Sequence, residues 1–375
     1  MKIRDFGVEI WMNAYENHCQ YNLAETCVQS LSVGELLDLS GRREAVLEEL
    51  AATRLTYGDI EGSPRLRQAI AGLYQSIAPE QITVTNGAIG ANALTMLALV
   101  EPGDQVISVL PTYQQHYSIP ESIGAQVHIL RLREETGWLP DPEELRGLVR
   151  AAGGRVKLIN INNPNNPTGS VMEEPLLREL VEIARSAGAW LLCDEVYRGL
   201  CHQGEAYTAS VADLYEKGIS TGSMSKSYSL AGLRLGWVAG PAELWQLLSR
   251  HRDYHIISVG RLDDLLAATA LECREAISAR NLAICREGGR LLEEFVANQP
   301  RISYVKPKGG TTAFLKYDLP LESAQLCRKL QAETGVMLLP GSALDVEGYL
   351  RIGYCNDPAI TAKGLALFHQ WLQEQ

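Results

Sequence analysis

The stretch Ser223-Met224-Ser225-Lys226-Ser227-Tyr228-Ser229-Leu230-Ala231-Gly232-Leu233-Arg234-Leu235-Gly236-Trp237 sets one lysine in a run of small and hydroxyl residues. An arginine follows eight positions later, then a strand-like apolar segment. Ile219-Ser220-Thr221-Gly222, just upstream, reads as a strand, so Lys226 falls on the turn at its end. A partly desolvated amine gives up its proton more readily than one in water, which suits a Schiff base with an aldehyde. Arg234 is suited to hold a phosphate through a paired hydrogen-bond fork. A reactive residue at the carboxyl end of a strand is the arrangement of an open α/β sheet.

Working outward, six more strand candidates appear: Ile82-Thr83-Val84, Val106-Ile107-Ser108-Val109, Val127-His128-Ile129-Leu130, residues 156–161, residues 189–194 and residues 235–240. Helical patterns separate most of them, which predicts a largely parallel α/β sheet with ligands at the strands' carboxyl ends. After the first strand, Thr85-Asn86-Gly87-Ala88-Ile89-Gly90-Ala91 opens a helix with small residues, where backbone N–H groups can meet a phosphate. It is neither a Walker loop nor a dinucleotide fingerprint. Tyr113 follows a strand end. The octet Asn162-Asn163-Pro164-Asn165-Asn166-Pro167-Thr168-Gly169 carries two Asn-Pro steps that force extended or turn geometry and lock Asn166 in place. Asp194 ends a buried apolar strand, where a carboxylate is costly unless it meets a cation, and Tyr197 lies three positions on.

The flanks read differently. Residues 1–45 suggest a helix with Phe6, Ile10, Trp11 and Tyr15 on one face, an irregular piece around Tyr21–Cys27, then a second helix. Glu16, His18 and Glu25 are candidate functional groups there. The turn-rich loop Thr56-Tyr57-Gly58-Asp59-Ile60-Glu61-Gly62-Ser63-Pro64 presents the Tyr57 hydroxyl ahead of an amphipathic helix carrying Leu66, Ile70 and Leu73. A long helical stretch is expected from Pro241 to about Ala297, then a shorter α+β region. Arg351 lies in an apolar strand of that region, where an unpaired guanidinium is expensive, so it is expected to meet a carboxylate of the protein or of a substrate.

With 375 residues, 46% hydrophobic and 21% charged, the chain is long enough for two domains around large cores. We expect a large unit at 46–275 and a small one from 1–45 with 276–375. The net charge of −11 argues against nucleic acid and anionic membranes as partners. Eight cysteines without a C-x-x-C pair argue against a structural metal or a disulfide framework, and point to reduced thiols and a cytoplasmic location. There is neither an apolar signal-like segment nor a run long enough to span a membrane.

In order, Tyr57, the Asn86-Gly87-Ala88 turn, Tyr113, Asn166 in Asn-Pro-Thr-Gly, Asp194 with Tyr197, Ser223-x-Ser225-Lys226, Arg234 and Arg351 make a set. From about Leu55 to the C-terminus the sequence resembles the class I/II aminotransferases, the fold-type I enzymes dependent on pyridoxal 5′-phosphate. The resemblance implies a mainly parallel seven-stranded sheet flanked by helices, with a smaller α+β domain built from both termini. It implies that Lys226 forms the internal aldimine and moves a proton between Cα and C4′, and that Asp194 keeps the pyridinium nitrogen protonated. Asn166 and Tyr197 would bond the ring oxygen, and Tyr113 would stack on the ring. Gly87 and Ala88 amides, Ser223, Ser225 and Arg234 would form the phosphate cup. Tyr57 would reach the phosphate of the neighbouring subunit, so a homodimer is implied. Arg351, with Asn166, would bind the substrate α-carboxylate.

The implied activity moves an amino group from an L-amino acid to a 2-oxo acid by ping-pong exchange. Glu16, Glu25, Asp59 and Glu61 leave room for a cationic donor side chain such as that of arginine. One region departs from the family pattern: Asn22-Leu23-Ala24-Glu25-Thr26-Cys27 stands where an apolar-Gly-Pro segment is usual. This is similar to a branch that includes capreomycidine synthase and oxygen-using arginine oxidases, so oxidation, cyclisation or elimination on a basic amino acid is the alternative. In the oxidases a histidine and an aspartate support the oxygen chemistry; here Cys27 and Ser223 stand near those positions, and His18 could substitute only if the N-terminal helix folds over the site. A DNA-binding regulator and a nicotinamide dehydrogenase fit less well, since no winged-helix segment and no G-x-G-x-x-G are present.

Overall fold

The computed structural model describes residues 2–375. The chain opens with α1 (Gly7–Tyr15), a 3₁₀ turn (Glu16–His18), β1 (Tyr21–Asn22), α2 (Val33–Ser40), α3 (Arg43–Ala52) and α4 (Pro64–Ala71). Local chemistry explains these boundaries. Ser32 and Glu35 form a reciprocal capping box at the start of α2, and Ser63 caps α4 ahead of Pro64 in its first turn.

Strands and helices then alternate: β2 (Ile82–Thr85), α5 (Gly87–Leu99), β3 (Gln105–Leu110), α6 (Gln115–Ile123), β4 (Gln126–Arg131), α7 (Pro142–Ala151), β5 (Leu158–Asn162), α8 (Glu174–Ser186), β6 (Trp190–Asp194), α9 (Val211–Leu214), β7 (Gly218–Ser223) and β8 (Gly236–Ala239). All seven expected strands form one sheet, in the order β2-β8-β7-β6-β5-β3-β4. The five strands from β7 to the edge strand β4 pair in parallel, and only β8 runs against its neighbours. Every position of β5, β6 and β7 is buried, because helices cover both faces of the sheet. Helix α8 shows how such a cover forms: Leu177, Leu180, Val181 and Ala184 recur at helical spacing and bury one face.

The expected single helical stretch after residue 240 is three helices, α10 (Ala242–Arg252), α11 (Arg261–Glu272) and α12 (Arg274–Ala297). Then come β9 (Ile302–Tyr304), β10 (Thr312–Tyr317), α13 (Ser323–Thr334), β11 (Val336–Met337), β12 (Leu339–Pro340), β13 (Tyr349–Gly353) and α14 (Pro358–Gln373). Four of these strands make an antiparallel sheet in the order β12-β13-β10-β9. The start of the chain is stitched to this region. Strand β1 pairs in parallel with β11, and the Trp11 indole N–H donates to the Leu338 carbonyl at 2.9 Å. Trp11 is buried, but Ile10 is 53% exposed and does not share its inward face, contrary to expectation. Among the described residues no helix is long and apolar enough to cross a membrane.

Candidate active site

Strands β5, β6 and β7 end side by side, and their register aligns Asn162 with Asp194 and Asp194 with Thr221. Three polar side chains therefore emerge together where the apolar strands stop. The Asn162 amide donates to the Asp194 backbone carbonyl at 2.8 Å and its oxygen accepts from the Asn166 N–H at 2.7 Å, which fixes the Asn-Pro octet to the sheet. The Asp194 carboxylate accepts from the Asn92 amide at 2.8 Å and from the Val196 N–H at 3.2 Å, and the His116 ring lies 3.4 Å away.

A cavity of about 320 Å³ opens over these ends. Asp194, Asn166, Tyr197, Tyr113 and Lys226 line it, with Ala88, Ser223, Ser225 and Arg234 on one side and Arg351 and Glu16 also at its wall. A larger hollow of about 770 Å³ lies elsewhere, between the 201–209 loop and α12, and none of the expected site residues line it. Glu16 and Arg351, 335 positions apart in the sequence, are thus brought by the fold to one cavity.

The phosphate-type cradle has a steric basis. Helix α5 starts at Gly87 without a side-chain cap, so its first amides keep their donors free, and the helix dipole favours an anion there. Gly87 has φ +69°, and a β-carbon on it would come within 2.9 Å of Arg234 Nη2. A β-carbon on Gly236 would lie 2.4 Å from the Gly87 carbonyl carbon. Both glycines are needed for the strand, the turn and the arginine to converge.

Arg351 is 2% exposed. Its guanidinium donates to the Asn166 side-chain oxygen at 3.3 Å and to the Ala24 carbonyl at 2.9 Å, while its Nε has no partner. Among the described residues no protein carboxylate pairs with it, so the protein partner that the sequence allowed for is not found. Burial depresses its pKa, partly offset by Tyr197, Glu25, Tyr113 and Glu9.

Lys226 departs from expectation. Its Nζ donates to Thr26 Oγ1 at 2.7 Å and to Cys27 Sγ at 3.3 Å. Burial favours the free amine, but Cys27, Tyr197 and Glu25 outweigh it and the pKa rises above the ordinary lysine value. Glu25 is the matching anion: burial raises its pKa, yet Lys226 and the Thr26 and Cys27 amides bring it below the usual carboxylate range.

Helix α1 lies over the cavity and brings Val8, Glu9 and Met12 to its wall. Glu9 accepts from the Tyr113 hydroxyl at 2.6 Å, and the Phe6 ring sits 4.8 Å from that of Tyr113. Burial, reinforced by Glu9, pushes the Tyr113 phenol well up. Glu16 also faces the cavity, but among the described residues its carboxylate accepts no hydrogen bond, and burial with Glu25 and Glu9 raises its pKa. His18 is exposed and stays off the cavity although α1 does fold over the site. Asp59 and Glu61 do not line the cavity either, and Glu61 pairs with Arg252 at 3.2 Å. Tyr57 is 74% exposed and lies outside the cavity of its own chain.

Sequence reasoning missed Asn92, His116, Thr26 and Glu9. Two of them had a readable signal: His116 lies one helical turn beyond Tyr113, and Asn92 is a lone polar amide in an apolar helix five residues after Gly87. The residues present fit pyridoxal phosphate: a lysine amine, an oriented carboxylate, and free helix amides beside Arg234.

Known proteins agree with this geometry. The family model for aminotransferase class I and II matches residues 27–363. Capreomycidine synthase of Streptomyces vinaceus is 31% identical over 371 residues, 97% of this chain and 93% of that protein. The arginine–pyruvate transaminase AruH of Pseudomonas aeruginosa is 29% identical, covering 83% of this chain and 80% of the relative. A PLP-dependent aminotransferase structure from Streptococcus suis superposes with TM-score 0.95 at 43% identity, over 100% of this chain and 99% of that one. The PLP-dependent cyclase OrfR superposes with TM-score 0.91 at 26% identity, over 100% and 98% of the two chains.

Proposed function

The chain belongs to the class I and II aminotransferases, and from that premise we propose that it is a pyridoxal 5′-phosphate-dependent aminotransferase moving an amino group from an L-amino acid to a 2-oxo acid. Bound pyridoxal phosphate supplies an aldehyde for an amine to condense with and a protonated ring that takes up electrons released at the substrate Cα. The chain's residues do the rest. Lys226 would hold the cofactor and, when freed, carry a proton. Asp194 would face the ring nitrogen. Gly87, Ala88, Ser223, Ser225 and Arg234 would bind the phosphate, and Tyr113, Asn166 and Tyr197 would hold the ring. Arg351 would orient the α-carboxylate.

The observation that carries this reading is Arg351: a buried guanidinium with an orphaned Nε, no protein carboxylate, and a place in the same cavity as Lys226. Such a charge is strongly unfavourable until an anion arrives. The reading extends to a homodimer in which Tyr57 serves the neighbouring site. Tyr57 and Leu55 are 74% and 81% exposed, on a loop tied through the Gly58 N–H to Ser258 at 3.3 Å. Exposed apolar side chains at one place suit a covered face.

A second reading concerns the donor and is favoured by Glu16. Its free carboxylate, with Glu9 and Glu25 nearby, would be relieved by a cationic side chain. This supports a basic donor such as arginine, and with it the alternative chemistry of oxidation, cyclisation or elimination. One experiment separates the readings. The PLP-reconstituted protein is followed by absorbance during addition of single L-amino acids, with oxygen monitored. Loss of the cofactor's visible band, reversed by a 2-oxo acid without oxygen uptake, supports transamination. Oxygen uptake without a 2-oxo acid, or a cyclised or eliminated product, overturns it in favour of the alternative. Equal response to basic and neutral donors, unchanged in Glu16→Gln, overturns the basic-donor reading.

A further inference from the structure

The atypical segment 22–27 is built as a rigid strap. The Asn22 side-chain oxygen accepts from the Ala24 and Glu25 N–H groups at 2.9 and 3.1 Å, forming a tight local turn. Glu25 folds back onto the next two amides, at 2.6 Å to Thr26 and 2.8 Å to Cys27. The Thr311 hydroxyl donates to the Thr26 carbonyl at 2.7 Å, and the Gly353 N–H donates to the Leu23 carbonyl at 2.8 Å. A β-carbon on Gly353 would lie 1.7 Å from the Glu25 carbonyl oxygen, so strand β13 and the strap leave no space between them. Leu23, Ala24 and Val28 are fully buried.

Two side chains of this strap point at one atom. Thr26 Oγ1 and Cys27 Sγ both contact Lys226 Nζ, at 2.7 and 3.3 Å, and both residues are 9% exposed. A hydroxyl or thiol can accept from an ammonium and can equally donate to the lone pair of a free amine. Such partners hold a lysine in either proton state, which a fixed carboxylate does not. Glu25 contributes charge to the same place, while its oxygen is spent on backbone N–H groups.

We propose that Thr26 and Cys27 form a dock for the Lys226 amine, holding Nζ whenever it is not covalently engaged and aiming it when it takes up or returns a proton. The proposal rests on the reading of Lys226 as the cofactor-bearing lysine. Thr26 and Cys27 are positioning residues: they act through Lys226. The charged and titratable groups facing Lys226 are Cys27 and Glu25 on the strap, Glu16 on the turn after α1, and Tyr197 beyond β6. Removing the Thr26 hydroxyl takes away an acceptor of the ammonium while leaving those charges in place.

The test uses Thr26→Val, nearly isosteric, with Thr26→Ser as the conservative rescue and Cys27→Ala as the second arm. In the cofactor-free full-length chain, labelling of Lys226 by an amine reagent is read by peptide mass spectrometry across pH. The expected result is faster labelling in Thr26→Val, by about tenfold at neutral pH, with the profile moved to lower pH and restored by Thr26→Ser. In the PLP-loaded chain, the proton-transfer step is isolated with a Cα-deuterated amino donor in single turnover. It should slow by about tenfold in Thr26→Val with little change in donor affinity. Labelling profiles and isotope effects identical to the native chain in both Thr26→Val and Cys27→Ala overturn the dock. Borohydride reduction of the native chain with PLP is the separate check: if it fails to fix cofactor on Lys226, the proposed function fails, while the labelling result still decides the dock.

Discussion

Asn92 donates to the Asp194 carboxylate at 2.8 Å and itself accepts from the Thr221 hydroxyl at 2.7 Å, so α5, β6 and β7 meet through one buried relay. Thr221 fixes which way the Asn92 amide faces, and Asn92 then orients the carboxylate without neutralising it. Asn92→Leu keeps the volume but strips the Asp194 carboxylate of one donor and leaves the buried Thr221 hydroxyl without its acceptor. We expect PLP affinity to fall by about tenfold or more, with a smaller loss in Thr221→Val. Equilibrium dialysis with PLP measures both; native affinity in Asn92→Leu would show that the relay does not support cofactor binding.

Lys226→Ala is expected to abolish multiple turnover and to prevent covalent fixation of PLP by borohydride, while a weak non-covalent complex persists through the phosphate cradle. The same substitution leaves Glu25 without its cation. Mass spectrometry after reduction reads the first effect, and sustained turnover in the variant would remove Lys226 from the role proposed for it.

Arg351 gives a prediction of opposite signs. Its guanidinium is buried without a compensating carboxylate, which costs the free chain stability. Arg351→Met should therefore raise the melting temperature of the cofactor-free chain by about 2–4 °C, while raising the donor KM by roughly a hundredfold through loss of a charge-assisted pair. Calorimetry and steady-state kinetics read the two effects. A variant that loses both stability and affinity would mean that Arg351 holds the fold rather than the substrate.

Much of this site was legible because each expected element came with local chemistry of its own. Strands β5 to β7 announce themselves as apolar runs, and Asp194 and Lys226 as the polar residues that end or follow them. Gly87 and Arg234 were readable as candidates for one place, although the 2.9 Å approach that makes glycine obligatory at 87 was not. The N-terminal segment was read least well. Nothing in Asn22–Cys27 says that the strap is pinned by Thr311 and Gly353, roughly 285 to 330 positions away, and those contacts are what bring Thr26 to Lys226. The surroundings of the Lys226 amine were hidden for the same reason. Burial was foreseen, but the thiol, phenol and carboxylate around the amine arrive through tertiary structure. Asp59 and Glu61 look like Glu16 and Glu25 in sequence, and only the fold turns them away from the cavity.

Glu25 makes the last prediction, on acid stability. Its folded-state pKa lies below the ordinary carboxylate value because Lys226 and two backbone amides favour the ionised form more than burial opposes it. A depressed folded pKa means that the unfolded chain binds the proton more readily. Glu25 therefore contributes stability that is fully present above the unfolded value of about 4.3 and is lost as pH falls through the folded value. Glu25→Gln keeps an oxygen to accept from Thr26 and Cys27 but removes the charge. The native cofactor-free chain should be the more stable of the two at neutral pH, and the gap should close as pH drops below about 4. Urea unfolding at a series of pH values measures the gap; parallel curves for the two chains would show that the ionised Glu25 carboxylate gives no net support to the fold.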